Sequence, residues 1–489
     1  MAAALKETAM RLGDLLGPAA GAHAQLPVRD LVLDSRQAGH GAAFVAVAGS
    51  RTHGLAFAGD ALARGASIVL YEPSAAYPRP PEPSLAVEGL GGRLGEFARA
   101  FFGQPASRIA GITGTNGKTT VACVLAQALT RLDPACGYIG TLGFGVPPAL
   151  REHALTTPDC FSLHRELAEL AVPRVAMEVS SHALAQDRVA GLDFDCAAFT
   201  NLSREHLDQH GDQASYGEAK ARLFAREDIR FAVVNLDDAF SETLAERLGA
   251  GTVLLGTSLR GAPGAALSAR VDDRGLGGLA LDVSGRFGAA SLASSLIGEF
   301  NAENLLVALG VMLGWGLPLA ESAAALSACR PPPGRMQIIA AGAREPTVIV
   351  DYAHTPDALE RALRVLRRVA DGRLWCVFGC GGERDPGKRA PMGAAAAKLA
   401  DRIVLTDDNP RDEDPAAIVA AIRAGIGAHP RVEIEHDRGA AIARAVRGAG
   451  ARDVVLIAGK GHETWQTVGG AKRPFSDEAA ARAALEDRR

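Results

Sequence analysis

The sequence predicts an α/β protein of three domains. Three observations carry that expectation. The chain has 489 residues, about three times the ~150 residues of a typical domain. Short, β-branched apolar runs alternate with helix-like stretches, as in parallel sheets. Polar clusters recur just after those runs, at the edge where open α/β sheets bind ligands. Apolar residues make up 48% and charged residues 22%, which suits buried cores and not disorder. A net charge of −4 leaves no basic footprint, so no nucleic-acid partner is expected.

At the start, MAAALKETAMRLGDLLG carries Lys6, Glu7 and Arg11 and lacks an apolar run, so it does not read as a secretory signal. No stretch reaches the ~18 apolar residues of a membrane span, so no membrane insertion is expected. LDSR (33–36) and AFVAVAGSRTHG (43–54) read as strand, turn and strand. Two Pro-rich stretches, EPSAAYPRPPEPS (72–84) and RPPPGR (330–335), read as linkers. They divide the chain into 1–90, 91–334 and 335–489. Strand candidates in the second segment are RIAGIT, RVAMEVS, CAAFTN and RFAVVN. In the third they are TVIVDY, LWCVFG, RIVLTD and DVVLIAG. Seven scattered cysteines without a CxxC pair fit reduced thiols of a cytoplasmic protein better than disulfides or zinc.

GITGTNGKTT (111–120) follows a strand candidate and opens the amphipathic stretch VACVLAQALTRL, the context of a phosphate-binding loop. Gly114, Thr115, Asn116 and Gly117 would bring backbone amides to phosphate oxygens, and the helix N-terminus adds its dipole. Lys118 would neutralise phosphate charge, and Thr119, followed by Thr120, would offer a hydroxyl to Mg²⁺. Ile112 stands where the full spacing has glycine.

GTNGKTT, MEVSSH (177–182), TNLSREHLD (200–208) and DYAHTPDAL (351–359) together resemble the motifs of the Mur ligase family. These ATP-dependent enzymes build the peptide stem of bacterial cell-wall precursors, and folylpolyglutamate synthases share much of their architecture. The resemblance implies a central P-loop ATPase-like domain, a C-terminal Rossmann-like domain and a smaller N-terminal α/β domain that binds uridine diphosphate. It implies that Lys118, Glu178, His206 and Lys220 are catalytic. It also implies that Thr119, Glu178, His206 and Lys220 act around two Mg²⁺ ions. By periodicity alone Lys220 is an exposed helical lysine; the resemblance makes it a carbamate. ATP would further meet Asn301, Arg335, Asp351 and His354. Gln337 stands where relatives often carry Glu.

By the same resemblance Leu33, Ser35, Ser50, Arg51 and Thr52 would contact the uridine diphosphate end of the substrate. Thr156, Thr157, Ser180, Gln186 and Arg188 would hold the muramyl dipeptide, with Leu155 where some relatives carry Asn. In the third segment Arg384, Asp408, Asn409, Pro410, Arg411, Gly459 and Glu463 collect after strand ends. Each charge alone could be a surface ion pair worth ~0–1 kcal/mol. Together, two guanidiniums, two carboxylates and an amide could match a diamino dicarboxylic acid. Members that use meso-diaminopimelate carry DNPR, found here at 408–411, and lysine-adding members lack that arginine. The following Asp412, Glu413 and Asp414 suit a helix start.

The expected function is therefore ATP-dependent addition of meso-diaminopimelate to the γ-carboxylate of D-Glu in a UDP-N-acetylmuramoyl dipeptide, through an acyl phosphate. The cofactors would be ATP, Mg²⁺ and a carbamate on Lys220, and a monomer is the default. Rival readings are a lysine-adding or folylpolyglutamate-type ligase and a catalytically inactive nucleotide-binding scaffold.

Overall fold

The computed structural model describes residues 9–49, 52–153, 155–203, 210–342 and 344–488. Ser50, Arg51 and His206 lie outside the described residues. Near the N-terminus, Asp30–Val32, Ala42–Ala46, Ile68–Tyr71 and Ser84–Ala86 form a four-stranded parallel sheet. Every residue of Ala42–Ala46 is buried, which explains its unbroken apolar run. The Pro-rich stretch 72–84 is a connection inside this sheet and not a linker between domains, because Ser84 pairs with Val69. Proline marks chain that cannot donate to a ladder, whichever kind of connection it makes. Helix Leu94–Phe102 places Phe97 and Ala98 in a core shared with Cys160 and Phe161 of the next segment.

Among the described residues the central sheet has eleven strands. Seven parallel ones lie in the order Cys136–Gly140, Arg174–Glu178, Arg108–Thr113, Cys196–Phe199, Phe231–Asn235, Val253–Ser258 and Leu267–Asp273. Helices Lys118–Arg131 and Glu299–Gly314 bury nearly their whole surface against one face. Antiparallel strands extend the sheet: Gly143–Val146 and Ala149–Arg151 at one edge, and Leu279–Gly285 and Gly288–Ser294 beyond Leu267–Asp273 at the other. The sequence reading expected only parallel strands. Leu267–Asp273 and Leu279–Gly285 alternate buried and exposed residues with Gly, Asp and Arg interspersed, so they lack the apolar run it looked for.

The third sheet runs Gln337–Gly342, Glu345–Asp351, Val454–Ala458, Leu374–Phe378, Arg402–Leu405 and Val432–Ile434, parallel apart from the first strand. A separate hairpin pairs Trp465–Val468 with Ala471–Pro474. All seven cysteines are buried and free. In both large sheets the polar clusters follow the carboxyl ends of adjacent parallel strands, which brings them onto one edge.

Candidate active site

The loop 114–117 leads from strand Arg108–Thr113 into helix Lys118–Arg131. Neighbouring chain braces it: Thr115 N donates to Asn201 O (2.8 Å), Asn116 N to Asn201 Oδ1 (3.0 Å) and Thr200 Oγ1 to Asn116 O (2.6 Å). Lys118 Nζ lies across the loop, donating to the carbonyls of Gly114 (2.7 Å) and Thr115 (2.9 Å). The first-turn amides of a helix have no intrahelical acceptor, so this end is suited to an anion. Thr119 and Thr120 are buried in that first turn.

Glu178 ends the next strand and is 0% exposed. Tyr138 OH (2.6 Å) and Thr141 N (2.9 Å) donate to its Oε1; Thr119 Oγ1 (2.9 Å) and Thr141 Oγ1 (3.1 Å) donate to Oε2. Every one of these donors is neutral, and no lysine or arginine among the described residues pairs with Glu178. A buried carboxylate beside a phosphate loop, with a threonine hydroxyl against it, fits a hard cation that takes oxygen ligands. Lys220 is 1% exposed, which corrects the reading from periodicity. Its Nζ donates to Gly114 O at 2.8 Å and lies 4.3 Å from the centroid of the Tyr216 ring, so it faces the loop and not solvent.

The residues expected to hold the dipeptide gather beside Glu178. Thr157 Oγ1 donates to Glu178 O (2.8 Å), Thr156 and Thr141 hydroxyls are 3.1 Å apart, and Ser180 N donates to Thr157 Oγ1 (3.1 Å). Arg188 donates to Thr157 O (3.0 Å) and to Gln186 Oε1 (2.6 Å). Burial, partly offset by Asp159, lowers the Arg188 pKa. The N-terminal sheet docks alongside: Arg165 Nη2 donates to Asp30 Oδ1 (2.8 Å), and Ser162 Oγ to Gln37 Oε1 (3.3 Å). Leu33 is half-buried, Ser35 donates to Asp60 Oδ2 (3.0 Å) and Thr52 is exposed in a turn. Among the described residues no hydrogen bond joins these three to Thr156, Thr157, Ser180, Gln186 or Arg188.

The linker before the third sheet closes the nucleotide side. Arg335 Nη2 donates to Thr119 Oγ1 (2.9 Å), and its guanidinium lies 4.3 Å over the Tyr352 ring. Its Nε is buried without a hydrogen-bond partner. Asp351 accepts Met336 N (2.7 Å) and Ala353 N (2.9 Å), so its carboxylate shapes the backbone that aims Arg335. Desolvation raises the Asp351 pKa against those two amides and Arg335. His354 packs on Tyr352 with its Nδ1 2.8 Å from Tyr352 O. Asn301 donates to Ile297 O (2.8 Å) and accepts from Asn304 (2.9 Å). Gln337 accepts Gly334 N (2.8 Å) and donates to Glu478 (3.0 Å), a structural use of that position. His462, missed in the sequence, reaches the same corner from the third sheet. Its ring lies 5.3 Å from Tyr352, and burial together with the Arg335 guanidinium pushes its pKa down to about 3.

At the far edge Asn409 Nδ2 donates to Glu463 Oε2 (2.9 Å), and Arg411 Nη1 donates to Gly382 O (2.6 Å). Asp408, Asn409 and Pro410 are buried. Arg411 is half-buried; burial, then the neighbouring Arg384 guanidinium, disfavours its charge. Gly459 has φ +116, and a Cβ there would sit 2.6 Å from Asp408 Oδ2. Asp414 caps helix Pro415–Ile426, accepting Ala416 N, so the acidic run does start a helix. Tyr138, Thr141 and Lys460 were not singled out from the sequence. Tyr138 lies within an apolar strand, and Lys460 sits between glycines like any loop lysine.

Comparison with known proteins gives consistent matches. Residues 27–102 match the Mur ligase family catalytic domain, 112–312 the Mur ligase middle domain and 334–461 the Mur ligase glutamate ligase domain. A protein of Xanthomonas campestris pv. campestris named UDP-N-acetylmuramoyl-L-alanyl-D-glutamate–2,6-diaminopimelate ligase is 48% identical over 483 residues, covering 98% of this chain and 97% of its own. One of the same name from Pseudomonas aeruginosa is 47% identical over 472 residues, covering 95% and 96%. A solved structure under that name superposes with a TM-score of 0.67 at 36% identity, covering 98% and 99%. The ADP complex of a MurF ligase from Thermotoga maritima has a TM-score of 0.66 at 18% identity over 94% and 97%, a likeness of fold.

Proposed function

The chain belongs to the Mur ligase family, and from that premise we propose how its site divides the work. It is an ATP-dependent, ADP-forming ligase that adds meso-diaminopimelate to the D-glutamate of UDP-N-acetylmuramoyl-L-alanyl-D-glutamate in peptidoglycan synthesis. The observation that favours this acceptor is the half-buried Arg411 guanidinium, with the exposed Arg384 beside it, on one sheet edge with Asn409 and Glu463. Guanidiniums so placed suit the far carboxylate of an amino acid, and a carboxylate beside them suits its far ammonium. The segments 1–90, 91–334 and 335–489 would bind uridine diphosphate, ATP with the dipeptide, and the acceptor. No helix among the described residues is long and apolar enough to cross a membrane, and a cytoplasmic location agrees with ATP as a substrate.

In the proposed mechanism the γ-carboxylate of D-Glu attacks the γ-phosphate of ATP, ADP leaves, and an acyl phosphate forms. Lys118 and the helix N-terminus receive the phosphate charge. Thr157, Ser180, Gln186 and Arg188 hold the dipeptide beside Glu178, while Arg335 closes over Thr119. The acceptor amine then attacks the acyl carbon, phosphate leaves, and the amine gives up its proton. Thr119 and Glu178, with His206 and a carbamate on Lys220, would hold Mg²⁺, which screens phosphate charge during transfer. Acceptor-dependent ADP release tests the reading. Release with meso-diaminopimelate and little with L-lysine is expected. Preference for lysine or a folyl-glutamate acceptor would move the chain to another ligase type, and no release with any acceptor would leave a nucleotide-binding scaffold.

A further inference from the structure

Lys460, in the loop after strand Val454–Ala458, is 0% exposed and lies behind the acceptor edge. Its Nζ donates to Asn409 Oδ1 (3.1 Å) and Glu463 Oε2 (2.7 Å). Asn409 Oδ1 also accepts Thr467 N (2.9 Å), so two donors fix which end of the amide is oxygen. The amide's Nδ2 is thereby turned onto Glu463 Oε2 at 2.9 Å. Oε2 is anchored twice, whereas Oε1 receives no donor among the described residues and the side chain is 20% exposed. The other buried cation nearby, Arg438, is paired by two hydrogen bonds with Asp477 (2.7 Å each). Lys460 is therefore the buried cation bonded directly to Glu463. Without it, Asn409 and Glu463 lose the charged donor they share, and one neutral donor remains at each.

Resting on the ligase reading above, we propose that Lys460 is a positioning residue for the acceptor. It clamps Asn409 and Glu463 so that Glu463 Oε1 faces the pocket as the receptor for the second ammonium of a diamino dicarboxylic acid. A lysine that served only the fold would affect every acceptor alike; one that aims Glu463 affects those that carry the second ammonium.

The test compares kcat/KM for meso-diaminopimelate with that for 2-aminopimelate, which has the same carbon chain and both carboxylates but one amine. For Lys460→Met the ratio should fall about 10- to 100-fold through KM for meso-diaminopimelate, with ADP-induced thermal stabilisation unchanged. An unchanged ratio, or an equal loss for both acceptors, overturns the proposal. Should Lys460→Met not fold, Lys460→Gln decides by the same ratio; loss of fold in both would assign Lys460 to stability and overturn it as well. If the unaltered protein uses neither acceptor, the ligase reading fails first and separately.

Discussion

Arg411 has φ +54, a region that few residues other than glycine adopt. The hairpin holds it there: Arg411 N donates to Thr467 O (3.1 Å) and Gly469 N to Arg411 O (2.8 Å). The cost of that backbone and of a desolvated charge is offset when a carboxylate arrives between Arg411 and Arg384. Arg411→Ala should therefore reduce kcat/KM for meso-diaminopimelate about 100-fold with ADP affinity unchanged; equal loss of both in steady-state and binding assays would remove its assigned role. Lys220 is buried against the loop, and the carbamate proposed there has a direct test. Enzyme equilibrated with ¹³C-bicarbonate should show a carbamate carbon signal that Lys220→Arg lacks, with at least about 100-fold lower activity in the variant. The place of Arg411 and Glu463 at the sheet edge was legible because they stand in strings of charge and glycine after apolar strands. The burial of Lys220 was not: QASYGEAKARLF spreads small residues around the helix, so no single stripe marks its inner face. The partners of Glu178 were equally hidden, because only the strand order brings Tyr138 and Thr141 to it.

At the scale of the element, the parallel strands and their carboxyl-end loops could be read directly, since strands covered on both faces are continuous apolar runs. One-sided strands, the hairpin that pins Arg411 and the true place of the Pro-rich stretch could not, because pairing partners decide them. The phosphate loop joins both kinds of information. Gly117 has φ +88, and a Cβ there would lie 2.2 Å from Oδ1 of Asn304, which Asn301 holds from the next helix. The residue is thus required by conformation and by contact with Glu299–Gly314, and only the first was visible in GTNGKTT. Gly117→Ala should weaken ADP binding at least about tenfold while the far-ultraviolet circular dichroism stays unchanged. Calorimetric titration giving an unaltered affinity would show that the loop tolerates the side chain.

Across the whole molecule the central and C-terminal parts meet around the nucleotide site through polar contacts that include Arg335 on Thr119, Asn116 Nδ2 donating to Asp357 Oδ2 (3.3 Å) and Arg368 near Glu299 (3.9 Å). Glu303, on helix Glu299–Gly314, lies in this junction, within the electrostatic reach of Arg361 on helix Pro356–Val369 and of Asp237 and Arg260. Burial outweighs the attraction of Arg361 and pushes its pKa from 4.5 up to about 7. The folded state then binds more protons than the unfolded chain between those values, so stability falls as pH rises through them. The contribution of a neutral Glu303 is fully present below 4.5 and is lost as pH passes about 7. Glu303→Gln keeps the shape and removes the ionisation. At pH 8 the variant should melt at a higher temperature than the unaltered protein, with an advantage of up to about 3 kcal/mol. That advantage should shrink steadily as pH is lowered toward 5.5. Thermal unfolding followed over this range decides it: a gap that stays constant, or one that widens toward acid, would mean that Glu303 is not held neutral at the junction.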